Sequence, residues 1–323
     1  MMNMGHFRTN ILTRFLLLSL GIMSCQTASQ TEEVVAHWPL TIVESPAVRQ
    51  SGDPNLFVAE DGRLFLSWID QEADYQHGLR FAKWENEGWS AAQTIAQNSN
   101  WFVNWADFPS LAVHEDFMVA HWLAKSAGGT YDYDAKVTLS QDMGQNWSEP
   151  FVLHRDGIPA EHGFVTLLPL QPNKMFAVWL DGPATASLYN QVAVAWYTAA
   201  EEKPKVQLAL SENNGADFGA PIRLDHGNPL GRADAIFLDD KHLMVSWMES
   251  NGKSADIRAA VVSKSGEILS DRVLVATAAS RSSGFPIMEK ADEHVFFTWT
   301  EVGEEQTQVK TGKLNLNEIL QAI

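Results

Sequence analysis

Five stretches of this chain are built to one plan. They are DPNLFVAEDGRLFLSWID from 53, DFPSLAVHEDFMVAHWLAK from 107, HGFVTLLPLQPNKMFAVWLDG from 162, RADAIFLDDKHLMVSWMES from 232 and GFPIMEKADEHVFFTWTEV from 284. Each reads as a strand, a short polar turn and a second strand ending in Trp. The tryptophans are Trp68, Trp122, Trp179, Trp247 and Trp299, so consecutive spacings are 54, 57, 68 and 52 residues. Four of them are followed two residues later by an acid: Asp70, Asp181, Glu249 and Glu301. Repeats of this length that carry only strand signals predict an all-β chain, a β-propeller with one four-stranded antiparallel blade per repeat.

The remainder of each repeat supplies the outer strands. GLRFAKW with WSAAQTIA serves the first and AKVTLS with WSEPFVLH the second. QVAVAWY or KVQLALS, then APIRLDH, serves the third, where the polar AAEEKPK (199–205) reads as a hairpin tip. ADIRAAVVS and DRVLVAT serve the fourth. The fifth repeat offers QVKTGKLNL and then the chain nearly ends, apart from a short helical pattern in LNEILQAI. PLTIVES (39–45) stands alone before the first repeat, so it is expected to complete the last blade and remove the open edges. Five blades are expected, or six if a degenerate repeat is present.

The first 24 residues are expected to lie outside this domain. Arg8 and Arg14 precede the apolar run FLLLSLGIMS, too short to span a bilayer and typical of a signal peptide. The run ends Ile22-Met23-Ser24-Cys25, and Cys25 is the one cysteine of the chain. That pattern resembles a bacterial lipoprotein signal, which implies lipidation of Cys25, a tether over 25–36 and a propeller over 37–323. With Gln26 after the cysteine, the resemblance implies an envelope protein anchored in the outer membrane. The net charge is −17, and loss of Arg8 and Arg14 with no acid would leave −19. A nucleic-acid partner is excluded on that balance, because phosphate recognition needs a positive field.

SQDMGQNW (140–147) lies between the third and fourth strands of the second repeat. Its Ser140, Asp142, Gly144 and Trp147 make a turn that can lock itself, with a short carboxylate accepting backbone N–H groups and glycine taking a left-handed φ. The motif resembles the Asp-box of the sialidase-like, BNR-repeat propellers. A decayed copy, SENNGADF (211–218), has Asn213 for Asp and Phe218 for Trp. Asp142 is therefore read as structural.

In that family the ligand site is a mouth of the central channel, lined by the starts of the innermost strands. Aligning the five first strands gathers Asp53, Asp107, Glu161, His162, Arg232 and Arg281 there, with Trp101 and Trp105 in the loop before the second repeat. Carboxylates for hydroxyls and rings for stacking suit a glycan or glycopeptide. Asp53, Asp107 and Glu161 are the candidate catalytic acids of a glycoside hydrolase. His162, Arg232, Arg281, Trp101 and Trp105 are the candidate ligand-binding residues. Sialidase chemistry itself is not expected, because the family's nucleophile is a Tyr and no tyrosine falls in the last two repeats. A scaffold whose rim holds another envelope protein is the third reading. No cofactor motif or metal-ligand spacing appears, and Asp132 and Asp134 in GTYDYDAK read as a solvated loop rather than a calcium site.

Overall fold

The innermost strands of successive sheets lie side by side, and that arrangement organises everything else. In the computed structural model, the described residues are 37–48, 50–71, 76–104, 106–154, 162–171, 174–179, 184–188, 190–199, 203–280, 283, 285–304 and 306–323. The predicted signal and tether, including Cys25, lie outside them.

The first repeat forms β2 (Ser51–Val58), β3 (Leu64–Gln71), β4 (His77–Glu85), the two-residue β5 (Gly88–Trp89) and β6 (Gln93–Asn98). The second forms β7 (Ser110–His114), β8 (Phe117–Lys125), β9 (Tyr133–Ser140) and β10 (Phe151–Val152). The fourth forms β17 (Asp234–Phe237), β18 (His242–Ser250), β19 (Ala255–Ser263) and β20 (Ile268–Thr277). All strand pairs within these sheets are antiparallel.

Closure follows the expectation. β21 (Ile287–Ala291), β22 (His294–Val302) and β23 (Thr307–Asn315) form a sheet whose fourth strand is β1 (Thr41–Val43), paired from Thr41↔Lys313 to Val43↔Thr311. The junction is reinforced where Val309 N donates to the buried Ser51 Oγ at 3.0 Å. The helical pattern at the end becomes α1 (Leu316–Gln321), capped by Asn315, whose side chain accepts from the Asn317 and Glu318 N–H groups.

The third repeat departs from one four-stranded unit. Its β11 (Val165–Gln171) and β12 (Lys174–Trp179) pair only with each other among the described residues. A separate four-stranded sheet follows, from β13 (Ala184–Leu188), β14 (Gln191–Thr198), β15 (Lys205–Ser211) and β16 (Ile222–Arg223). The described residues thus divide into six sheets, and the third repeat holds two of them. ATASL, at the head of the second, follows the turn signal Asp181-Gly182-Pro183 but is made mostly of small residues, so its strand was not legible. β14 and β15 pair up to Thr198↔Lys205, and residues 200–202 of the AAEEKPK segment lie outside the described residues.

Packing explains the sequence pattern. β2 lies against β7 and β21, β7 against β11, and β13 and β21 each against β17. The second strand of a sheet is covered on both faces, so β3, β8, β18 and β22 are apolar and buried almost throughout. Outer strands keep period 2, as in β19, whose Ala255, Ile257 and Ala259 point inward and alternate with Asp256 and Arg258. Each apolar cluster is an interface between two sheets. Phe65, Leu79 and Phe81 meet Leu111, Met118 and Trp122, for example, while Met248 and Ile257 meet Phe297 and Trp299. Two of the Trp-x-acid pairs are intrastrand bonds: Trp68 Nε1 donates to Asp70 at 2.7 Å and Trp247 Nε1 to Glu249 at 2.8 Å. Period 2 puts both partners on one face, which satisfies a buried indole N–H without leaving the strand. Glu301 instead pairs with Lys310, and Asp181 lies outside the described residues.

Candidate functional site

The aligned starts of the first strands do converge. Asp107 is 4% exposed and accepts the Phe164 N–H at 2.8 Å, which ties the second first-strand to the third. Gly163 must be glycine here, since a Cβ on it would run into the Asp107 carboxyl and Tyr133. Arg232 donates to the Ala106 carbonyl and lies over the Phe108 and Phe164 rings, at 5.2 and 6.0 Å. Gly231 abuts Phe285, which a Cβ would strike. Asp53 and Phe164, equivalent in the repeat alignment, both adopt a left-handed backbone with φ of 51° and 53°. Non-glycine residues rarely do so, and such positions concentrate at ligand sites.

Asp53 is the carboxyl that reaches open space. It keeps partial exposure while lying deep among protein atoms, and burial pushes its acid up to about 7, with the charge of Asp107 adding to the shift. It lines a cavity of about 270 Å³ with Gln50, Gln71, His77, Asn104 and Thr300. Asn104 also bonds the Ala106 and Asp107 N–H groups at 2.8 and 3.0 Å, so the loop that carries Asp107 is set by a wall of this cavity. His77 is lowered by burial and so is a neutral imidazole near pH 7. Two buried polar atoms of this lining, His77 Nδ1 and Thr300 Oγ1, have no partner among the described residues. Orphaned polar atoms beside a polar cavity are groups waiting for a ligand or water.

Not every predicted residue joins this site. Trp101 is 4% exposed and packs on Trp122 at 5.4 Å, so it is part of the core between the first two sheets and presents no ring to a sugar. His162 is buried and stacks on His154. Arg232 clasps the loop and rings rather than the Asp53 cavity. Glu161, Trp105 and Arg281 lie outside the described residues. Gln71, His77, Asn104 and Thr300 carried no sequence signal, because each stands where two repeats meet.

A second carboxyl pair was also unforeseen. Asp234 on β17 accepts the Met288 N–H at 2.6 Å and is pushed up to about 6 by burial. Glu289 on β21 is pushed up to about 8 by burial and the charge of Asp234. The Asp234 side chain thereby links neighbouring first strands, as that of Asp107 does by accepting the Phe164 N–H.

The Ser140–Trp147 turn is remote in role. Ser140 Oγ donates to Asp142 at 2.8 Å and accepts from Gly144 N at 2.9 Å, while Asp142 accepts from Asn146 N and Nδ2 at 2.9 and 2.6 Å. Trp147 Nε1 donates to the Gly144 carbonyl at 3.1 Å. Every polar group of the motif is used inside the turn.

No protein-family model and no curated protein matches the sequence. Among solved structures, the chain is similar to a protein of unknown function from Dyadobacter fermentans DSM 18053, with a TM-score of 0.56 and 13% identity over 85% of this chain and 97% of that one. It is similar also to the NanB sialidase of Streptococcus pneumoniae, with a TM-score of 0.51 and 11% identity over 83% of this chain and 68% of the other. At such identities the likeness is one of fold, and the fold is a β-propeller.

Proposed function

We propose that this propeller, which shares its fold with a sialidase, binds a glycan in the Asp53 cavity. The observation that carries the reading is the lining itself. A carboxyl with a raised pKa, the amides of Gln50, Gln71 and Asn104, a neutral imidazole and Thr300 line the same space, and in its wall His77 Nδ1 and Thr300 Oγ1 are buried without partners among the described residues. Sugar hydroxyls donate and accept, so they match such a mixed set, whereas an apolar ligand would leave it unsatisfied. The volume, about 270 Å³, lies just below the ~300–1,000 Å³ range of small-molecule sites, so it suits one sugar unit rather than a long chain. We propose further that Cys25 carries a lipid and holds the domain on the outer membrane of a bacterial envelope, where glycans and glycopeptides are at hand. Incorporation of labelled fatty acid that is lost in Cys25→Ala tests the anchor.

A hydrolytic reading has its own support in Asp53 and Asp107. A carboxyl raised by burial and by the charge of a neighbouring carboxyl is how a glycosidase obtains its acid. A protonated Asp53 would donate to the leaving oxygen, so turnover would fall as pH rises through about 7.

The full chain incubated with a broad glycan library, read by mass spectrometry, tests both. Retention that weakens roughly tenfold or more in Asp53→Asn and Thr300→Val supports binding at this cavity. Shortened products that vanish in Asp53→Asn make it a hydrolase. Retention unaffected by both substitutions, or a library left untouched, overturns the reading, and capture of an envelope protein instead would make the rim a scaffold.

A further inference from the structure

Outside the lining of the Asp53 cavity, three side chains from two parts of the second repeat and the start of the third come together. His154 and His162 stack face to face, with ring centroids 3.5 Å apart and planes within 4°. His154 Nε2 stands 3.2 Å from Asp134 Oδ1. One donor atom from each of Asp134, His154 and His162 lies within 4.8 Å of the other two. We propose that these three residues form a binding site for a divalent transition-metal ion of the zinc class.

Donor chemistry is the first argument. Two imidazole nitrogens and one carboxylate oxygen are a common zinc set and leave a fourth tetrahedral position for water or a ligand. Calcium is a poor fit, because it demands six to eight oxygens. Spacing is the second. Two donors each about 2.0–2.1 Å from one tetrahedral ion stand roughly 3.3 Å apart, close to the 3.2 Å between His154 and Asp134. The remaining donor, on His162, lies within 4.8 Å of both and has to turn to reach that geometry.

Preorganisation is the third argument. Asp134 is on β9, and the backbone of the same strand holds both histidine segments. Leu153 N donates to the Ala135 carbonyl at 3.0 Å, and His162 N donates to the Tyr133 carbonyl at 3.2 Å. The backbone at the two histidines is thereby held on either side of the strand position that bears the carboxylate. The side chains of His154 and Asp134 are 9% and 19% exposed, and His162 is 8% exposed, so the group is shielded yet reachable. The stack itself is not the coordinating pose, because imidazole lone pairs lie in the ring plane and two parallel planes do not converge on one ion; binding exchanges the stack for coordination by turning one ring about its Cβ–Cγ bond.

Other histidine–acid contacts lack this make-up. His226 lies 2.6 Å from Asp271, but Arg258 already holds that carboxylate at 2.7 Å, and no second imidazole joins them among the described residues. His226 is therefore the natural control.

The test uses the full chain purified without a polyhistidine tag. Zinc titrated by calorimetry is expected to bind at one site per chain, and cobalt to give visible d–d absorption of a nitrogen–oxygen site. Affinity should drop roughly tenfold or more in Asp134→Asn, His154→Ala and His162→Ala, and stay within about twofold in His226→Ala. Saturating zinc should raise Tm in the native chain and in His226→Ala, but not in His162→Ala. The native chain alone suffices to refute the proposal: no saturable zinc binding and no cobalt spectrum would show the three side chains to be a packing contact. Binding that survives all three substitutions, or that is lost equally in His226→Ala, would place the ion elsewhere and overturn it too.

Discussion

Two turns of this molecule, 140–147 and 211–218, follow one wiring diagram and differ in what covers them. In the first, Ser140 Oγ reaches Asp142 at 2.8 Å and accepts from Gly144 N at 2.9 Å. In the second, Ser211 Oγ reaches Asn213 at 2.8 Å and accepts from Gly215 N at 3.0 Å. Asp142 accepts from Asn146 N at 2.9 Å and Asn213 from Asp217 N at 2.9 Å. The polar network thus survives the exchange of Asp for Asn, because the amide oxygen offers the same acceptor at the same reach. The hydrophobic cover does not survive. Trp147 packs edge-on against Phe81 at 6.3 Å and joins the core between the first two sheets, whereas Phe218 is 44% exposed. Local hydrogen bonds make the turn, and tertiary packing decides how much it matters.

The largest difference is expected at the glycines. Gly144 has φ 82°, and a Cβ there would meet Phe81 Cζ at 2.5 Å; Gly215 has φ 80° but its nearest neighbour, Phe218, is 3.8 Å away. Gly144→Ala should therefore cost about 3 kcal/mol, strain plus overpacking, and Gly215→Ala about 1 kcal/mol of strain alone. Urea unfolding of the two variants measures both, and equal losses would break the comparison. Next come the aromatics. Trp147→Ala should cost about 2 kcal/mol in the same assay, and Phe218→Ala less than about 0.5 kcal/mol.

The smallest effect is that of charge. Hydrogen bonds from Asn146, with that from Ser140, hold the Asp142 carboxyl below its usual value. A depressed acid stabilises the fold above its unfolded pKa, and that contribution fades as pH falls through the folded one. Native stability should then fall more between pH 5 and pH 2 than that of Asp142→Asn, seen as a larger shift of the urea midpoint. Identical acid limbs would mean that Asn serves as well as Asp in both turns. The glycan and zinc experiments set out above stand apart from this series, because neither turn touches the residues they alter.

Legibility divides along similar lines. The Trp-ended hairpins, the self-locking turn and the closure by PLTIVES could all be read directly, since each depends on contacts within a repeat or on a strand with nowhere else to pair. The extra sheet inside the third repeat could not, because ATASL has too little β-branched or aromatic character to announce a strand. Repeat register singled out Asp53 and Asp107, and the structure brings them near enough for the charge of Asp107 to act on Asp53. Trp101 was misjudged: a tryptophan in a loop looks like a stacking platform until Trp122 is seen to cover it. His154 was not foreseen at all, since the feature that singles it out is proximity to Asp134 and His162.

By itself, then, the sequence determined the strands, their pairing within each hairpin and the polar turns, because period-2 burial and side-chain-to-backbone bonds act over a few residues. Only the tertiary structure decided which polar residues share a cavity and which imidazoles face a carboxylate. Gly52 and Thr300, or Asp107 and Phe164, meet across sheets whose partners are far apart in the chain. Ring closure sets those distances, and no local periodicity encodes them.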